Sequence, residues 1–121
     1  MRILVCGGRT YKDRDMVKRT LRGCEVEAAQ DFHWTPGFVL IHGAAAGADK
    51  LAAEVATELG WQIEPYKANW LRWGPSAGPI RNRTMLDKGK PDLVIAFPGG
   101  RGTEDMVARA EKAGIPVRRV T

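Results

Sequence analysis

The sequence has few of the residues that disulfide-stabilised, metal-binding or membrane-spanning proteins require. Its two cysteines, Cys6 and Cys24, do not have the spacing of a metal-ligand pair. Its two histidines, His33 and His42, have no recognisable nucleophile partner, so a serine–histidine or cysteine–histidine mechanism has no support. The apolar run that opens the chain stops at glycine and is too short for a membrane span. We therefore expect a cytoplasmic protein with reduced cysteines, no metal and no membrane partner.

The length and composition suit one compact domain. The chain has 121 residues, 44% of them apolar, which is enough to bury a core without cross-links. The net charge of +5 is compatible with a nucleic-acid partner, a small anionic ligand or a solvated basic surface, and the scattered basic residues favour the last. The exceptions are four arginines beside glycine turns: Arg9, Arg81, Arg83 and Arg101.

Strand and helix patterns alternate along the chain. Apolar runs predict strands at 3–6, 38–41, 61–66, 93–97 and 116–120. Helical spacing of apolar residues predicts helices at 13–29, 48–59, 80–88 and 103–113, the first with a potential break at Gly23. Residues 31–37 and 67–79 are predicted to be irregular. This alternation predicts an α/β fold with a mostly parallel sheet of about five strands and helices on both faces.

Three glycine-bearing turns follow predicted strands, at 7–10, 43–49 and 98–103. Glycines there let the backbone approach a ligand closely, and a following helix N-terminus favours phosphate. The first turn lacks both the G-x-G-x-x-G spacing of a dinucleotide fingerprint and the lysine of a P-loop, so hydride-transfer and P-loop ATPase functions have little support. Because carboxyl ends of parallel strands share one edge of a sheet, we expect a single phosphate-binding pocket.

Several side chains near these turns have a structural and a functional interpretation. Asp49 either supports the start of its helix or accepts a bond from a ribose hydroxyl. Thr103 either caps its helix or contacts phosphate, and Trp70 either stacks on a base or packs its loop. The arginines of 81–83 suit bidentate phosphate capture. The predicted ligand-binding residues are Gly7, Gly8, Arg9, Gly43, Gly47, Asp49, Arg81, Asn82, Arg83, Pro98, Gly99, Gly100, Gly102 and Thr103, with Trp70 as a stacking residue.

Four segments together resemble the YspA/YpsA-related branch of the SMF/DprA-LOG (SLOG) superfamily. They are CGGR at 6–9, HGAAAGAD at 42–49, AGPIRNR at 77–83 and FPGGRGT at 97–103. The resemblance covers nearly the whole chain and implies one Rossmann-like three-layer domain over residues 1–121. It also implies a nucleotide or nucleotide-derived ligand, no required cofactor and self-association, as a homodimer, through helix faces.

The resemblance also bears on catalysis. LOG phosphoribohydrolases cleave the N-glycosidic bond of nucleotides with a glutamate whose position here is Met106, and a thioether cannot accept a proton. The remaining carboxylates are Asp49, Glu104 and Asp105, and the last two are expected to be poorly placed because one residue turns a helix by about 100°. We therefore expect a binding or sensor domain. Nucleotide N-glycoside hydrolysis and, by analogy with DprA, single-stranded nucleic-acid binding are the alternatives.

Overall fold

Strands and helices alternate in the computed structural model, which describes residues 1–33 and 37–121. The strands are β1 (Arg2–Cys6), β2 (Val39–His42), β3 (Gln62–Pro65), β4 (Leu93–Ala96) and β5 (Val117–Arg119). The helices are α1 (Arg14–Ala29), α2 (Ala48–Glu58), α3 (Trp70–Trp73), α4 (Ala77–Gly89) and α5 (Arg101–Lys112), with a 3₁₀ turn at Gly74–Ser76 before α4. Within the described residues, no helix combines the length and the apolar character that crossing a bilayer requires.

The five strands form one sheet in the order β3-β2-β1-β4-β5, with every neighbouring pair parallel. Leu4 of β1, for example, lies between Ile41 and Val94 in the central register. The strand order reverses between β1 and β4. After the carboxyl end of β1 the chain enters a helix on one face of the sheet, and after that of β4 it enters a helix on the other face. This topology is Rossmann-like, and the predicted fold class is confirmed. In such sheets, ligands bind outside the carboxyl ends of the strands at the reversal point.

The core has two layers because successive side chains of a strand point to opposite faces. Ile3 and Val5 of β1 belong to the layer beneath α1 and α2. Leu4 and Cys6 belong to the layer beneath α4 and α5, which also contains Met106. Burial on both faces explains why these strands are continuous apolar runs.

Several predicted boundaries differ from the structure. Gly23 lies inside α1 and does not break it, because Asp13 caps the helix through a bond from the Met16 N–H and buried side chains anchor it on both sides of the glycine. The segment 67–79, predicted to be irregular, contains α3 and the 3₁₀ turn, and α4 begins at residue 77. Helix α5 begins at Arg101, two residues earlier than predicted. Part of the predicted loop at 31–37 lies outside the described residues.

Candidate functional site

The turns after β1, β2 and β4 meet at the carboxyl edge of the sheet. Gly8 is their common point: its N–H donates to the Pro98 carbonyl over 2.8 Å, and its carbonyl accepts from the Ala48 N–H over 3.1 Å. A Cβ on Gly7 would lie 2.6 Å from the Ala48 Cβ, and a Cβ on Gly47 would overlap the Gly8 carbonyl. Gly47 also has a φ of +75°, which favours glycine. These glycines let the three turns pack directly on one another.

The glycines of the third turn have two different environments. A Cβ on Gly99 would overlap the Thr103 hydroxyl, so this glycine is required by packing. At Gly100 and Gly102, apart from the adjoining residues and the helix's own backbone, no atom of the described chain lies within 4 Å of the position that a Cβ would occupy. Both line a cavity of about 690 Å³ between the turns and α4. The open side of this turn therefore faces the cavity.

Helix α5 directs its N-terminus into this cavity. Its first residues, Arg101, Gly102 and Thr103, line the cavity together with the N-cap residue Gly100. Within residues 1–33 and 37–121, no side chain caps the helix. Thr103 is the third helical residue and is buried, so the interpretation of this side chain as the cap is wrong. An uncapped first turn combines unpaired N–H groups with the positive end of the helix dipole, an arrangement that suits an anion.

The turn after β2 is different, because the N–H groups of its first three residues, 43–45, are already bonded within the protein. The Asp49 Oδ2 accepts from the Gly43 N–H over 3.0 Å and from the Ala45 N–H over 3.2 Å. The Ala44 N–H donates to the His42 Nδ1 over 3.0 Å. This turn therefore presents fewer free donors than its glycines predict. Asp49 supports the turn that precedes α2 and does not cap that helix.

Burial shapes the charges beside this turn. It raises the pKa of Asp49 to about 6, although the two backbone N–H bonds and the Arg81 guanidinium act in the opposite direction. Burial likewise lowers the pKa of Arg81, and together with the Arg81 charge it lowers the pKa of His42. A carboxyl group that titrates near neutrality thus forms part of the cavity wall.

Asn82 connects a cation and an anion in the cavity wall. This amide is 3% exposed; its Oδ1 accepts from the Arg81 Nε over 3.1 Å, and its Nδ2 donates to the Asp105 Oδ2 over 3.0 Å. Arg81 is held at a second point, where its Nη1 donates to the Gly43 carbonyl over 2.6 Å. The Asp105 Oδ2 also accepts from the Arg109 Nε over 2.9 Å. The network holds the Arg81 guanidinium and the Asp105 carboxylate in defined positions.

Residues 104–106 of α5 are the three positions that bear on catalysis, and their side chains point in different directions. Asp105 lines the cavity, so the expectation that it is poorly placed is wrong. Glu104 lies outside and pairs with Arg119 in a bidentate contact. Met106 is completely buried in the core layer that lies beneath α4 and α5. Successive residues of a helix point in directions about 100° apart, and this rotation turns the Asp105 side chain towards the cavity.

Trp70 and Arg9 form the outer wall. The Arg9 guanidinium carbon lies 5.3 Å from the centroid of the Trp70 ring, within the range of a cation–π contact. Trp70 is 47% exposed and contacts the start of α4, where a Cβ on Gly78 would lie 3.3 Å from the ring. The ring is therefore both packed and accessible from the cavity.

The structure brings most of the predicted residues together and leaves some outside. The predicted residues that line the cavity are Gly7, Gly8, Arg9, Asp49, Trp70, Arg81, Asn82, Gly100, Gly102 and Thr103. Gly47, Pro98 and Gly99 hold the turns together, and Gly43 lies behind Arg81. Arg83 is largely exposed on the outer face of α4, with its Nε 3.6 Å from Asp87. Lys67 was not predicted from the sequence, yet it lies beside the cavity. Its position just after the carboxyl end of β3 could have identified it as a residue of this edge of the sheet.

Comparisons with known proteins agree with this architecture. The Gene 61 protein of Mycobacterium phage D29 is 39% identical over 124 aligned positions, which cover 96% of this chain and 93% of that protein. The X-ray structure of TM1055 superimposes with a TM-score of 0.73 at 18% identity, covering 96% of this chain and 71% of that one. The UDP-GlcNAc 2-epimerase from Neisseria meningitidis bound to UDP-GlcNAc gives a TM-score of 0.53 at 16% identity, covering 99% of this chain and 32% of the epimerase.

The two structural similarities lie below 25% identity and establish the fold alone. The family is established by sequence, because a family model matches residues 1–73, which include the first two glycine turns and Trp70. The resemblance noted from the sequence motifs is thus confirmed, and the chain belongs to the YspA, cpYpsA-related SLOG family.

Proposed function

We propose that this protein is a binding or sensor domain for a nucleotide or nucleotide-derived ligand, which occupies the cavity at the carboxyl edge of the sheet. The observation that carries the proposal is the uncapped N-terminus of α5, which opens into that cavity beside Arg9 and Arg81. Family membership and a Rossmann-like neighbour solved with UDP-GlcNAc support the same ligand class.

The phosphate is assigned to the first turn of α5. The absence of a side chain on Gly100 leaves room for an anion to approach the N–H groups. Arg81 uses its Nε and Nη1 for contacts with the protein, and no protein acceptor within the described residues takes its Nη2. A guanidinium anchored in this way loses little conformational entropy when it binds a phosphate.

The sugar is assigned to Asp105. Its Oδ2 is occupied by Asn82 and Arg109, whereas its Oδ1 accepts no bond from the described residues. Asp49, the acceptor suggested by the sequence, already receives two N–H bonds on its Oδ2 and is 6% exposed. Both carboxylates have an Oδ1 that accepts no bond from the described residues, but the Asp105 side chain is 31% exposed, so it is the more accessible acceptor for a ribose hydroxyl. The accessible ring of Trp70 is assigned to the base.

Binding without hydrolysis is favoured by the position of Met106. The residue that would supply the catalytic carboxylate in LOG-type hydrolases is an apolar side chain in the core. If the protein hydrolysed its ligand, Asp105 would have to supply the catalytic carboxylate. The test therefore measures ligand binding and release of the free base together.

The experiment measures thermal shift and free-base release with nucleoside monophosphates, NAD and ADP-ribose. A ligand at about 100 times its Kd should stabilise the fold by about 2.7 kcal/mol. Gly100→Leu places a side chain in the open space at α5 and should abolish that shift, while Gly23→Ala, in the middle of α1, should retain it.

Three results would contradict the proposal. If no member of the panel stabilises the wild type, the ligand class is wrong. If Gly100→Leu responds like the wild type, the phosphate is bound elsewhere. If base is released by the wild type and not by Asp105→Asn, the protein is a hydrolase rather than a binding domain.

A further inference from the structure

A second, smaller cavity adjoins the proposed site. Its volume is about 300 Å³, and Arg9, Trp70 and Arg81 line it as well as the main cavity. Its other walls are the turn after β2 and the segment that follows β3, which contributes Lys67. The stacked Arg9 and Trp70 side chains thus separate two neighbouring spaces.

The charges of the two cavities differ. The lining of the smaller cavity contains three cations, Arg9, Lys67 and Arg81, and no carboxylate among the described residues. The lining of the main cavity also contains three cations, Arg9, Arg81 and Arg101, but it adds two carboxylates, Asp49 and Asp105. Neither Arg9 nor Lys67 forms a salt bridge within the described part of the chain. The side chains of Arg9 and Lys67 are therefore not engaged in ion pairs with the described residues.

The charged groups that line the smaller cavity belong to side chains. The N–H groups of 43–45 in its wall are bonded to Asp49 and His42. The wall residues Ala44, Ala45, Ala46 and Ala68 are small and leave space in front of the cations. An anion bound here would meet lysine and arginine side chains, which suit phosphoryl oxygens.

We propose that the smaller cavity binds a second phosphoryl group of the same ligand. The inference rests on the proposed function, and it narrows the ligand class to nucleotides that carry two phosphoryl groups. One phosphoryl group lies at the α5 N-terminus, the other lies between Arg9 and Lys67, and Arg81 lies between the two spaces.

The test compares calorimetric affinities for a nucleoside 5′-monophosphate, the 5′-diphosphate, the 3′,5′-bisphosphate and ADP-ribose, all with the same base. At least one ligand with two phosphoryl groups should bind on the order of tenfold more tightly than the monophosphate, as expected for one additional charge-assisted contact. The preferred ligand of the set identifies how the second group is attached.

Lys67→Gln should remove this advantage and leave the affinity for the monophosphate unchanged. Lys112→Gln is the matched control, because Lys112 is an exposed lysine at the other end of α5. Raising the salt concentration should weaken the doubly phosphorylated ligand more than the monophosphate.

Equal affinities for all four ligands, or an unchanged preference in Lys67→Gln, would overturn this inference while leaving monophosphate binding and the proposed function intact. A lack of binding by every ligand would overturn both. A Lys67-dependent preference for a short single-stranded oligonucleotide over all four ligands would also overturn the inference and would support the nucleic-acid alternative.

Discussion

Asn82 donates from its Nδ2 to the Asp105 Oδ2 over 3.0 Å while its Oδ1 accepts from the Arg81 Nε over 3.1 Å. One buried amide thus sets the separation between the cation assigned to phosphate and the carboxylate assigned to ribose. An amide suits this role because it is both a donor and an acceptor. We propose that Asn82 positions these two groups for the ligand.

Asn82→Ala should weaken nucleotide binding more than it weakens the fold. The variant removes a donor from Asp105 and an acceptor from Arg81, so we expect a loss of about 1–3 kcal/mol in the free energy of unfolding. Binding should fall further, because both ligand-contacting groups lose their fixed positions. Calorimetric titration of the folded variant measures the effect. Asp87→Ala, which breaks an exposed ion pair on the same helix, is the control and should change neither quantity appreciably. Equal ligand affinity in Asn82→Ala and the wild type would contradict the positioning role.

Arg81 and Arg83 should respond differently to the same substitution. Arg81→Lys removes the planar group that bonds to Gly43 and Asn82, so the affinity for a nucleotide should fall by about tenfold or more. Arg83→Lys alters an exposed side chain outside the cavity and should leave the affinity unchanged. Calorimetric titrations of both variants and the wild type with the same nucleotide measure the three affinities. A comparable loss in both variants would show that the ligand extends across the outer face of α4.

These two arginines illustrate where sequence reasoning reaches its limit. The apolar runs and glycine turns suffice to predict the parallel sheet and the edge at which the turns meet, because periodicity reveals the alternating elements and parallel strands end at one edge. The choice between Arg81 and Arg83 depends on helix rotation, since two residues differ by about 200° around the axis. The position of the Asp105 carboxylate depends on the buried partner Asn82, which is distant in sequence. The packing role of Gly47 depends on a contact between separate turns.

Gly47→Ala should destabilise the fold strongly. Its Cβ would overlap the Gly8 carbonyl, and its φ of +75° is unfavourable for alanine, so we expect a loss of about 1–3 kcal/mol or more. Gly23→Ala is the matched control, because Gly23 is a helical residue with no atom of the described chain near the added Cβ. This control should be stabilised by about 0.5–1 kcal/mol. Urea unfolding of both variants measures the difference, and equal stabilities would show that the turns can separate at no cost.

Asp49 should make the stability of the protein depend on pH. Burial raises the pKa of Asp49 from 3.8 to about 6, so the folded chain holds this proton more tightly than the unfolded chain does. The associated stabilisation is fully present below pH 3.8 and is lost as the pH rises through about 6. At 1.36 kcal/mol per pKa unit, the loss amounts to about 3 kcal/mol.

Asp49→Asn isolates this contribution, because the amide keeps an oxygen for the Gly43 and Ala45 N–H groups but does not ionise. The free energy of unfolding of Asp49→Asn minus that of the wild type should therefore increase by about 3 kcal/mol between about pH 3 and pH 7. Urea titrations at several pH values provide the measurement, and subtraction removes the groups that titrate alike in both proteins. A difference that stays constant over this range would mean that Asp49 has the same proton affinity in the folded and unfolded chains. In that case the Arg81 charge and the two backbone bonds would offset the whole cost of burying the carboxylate.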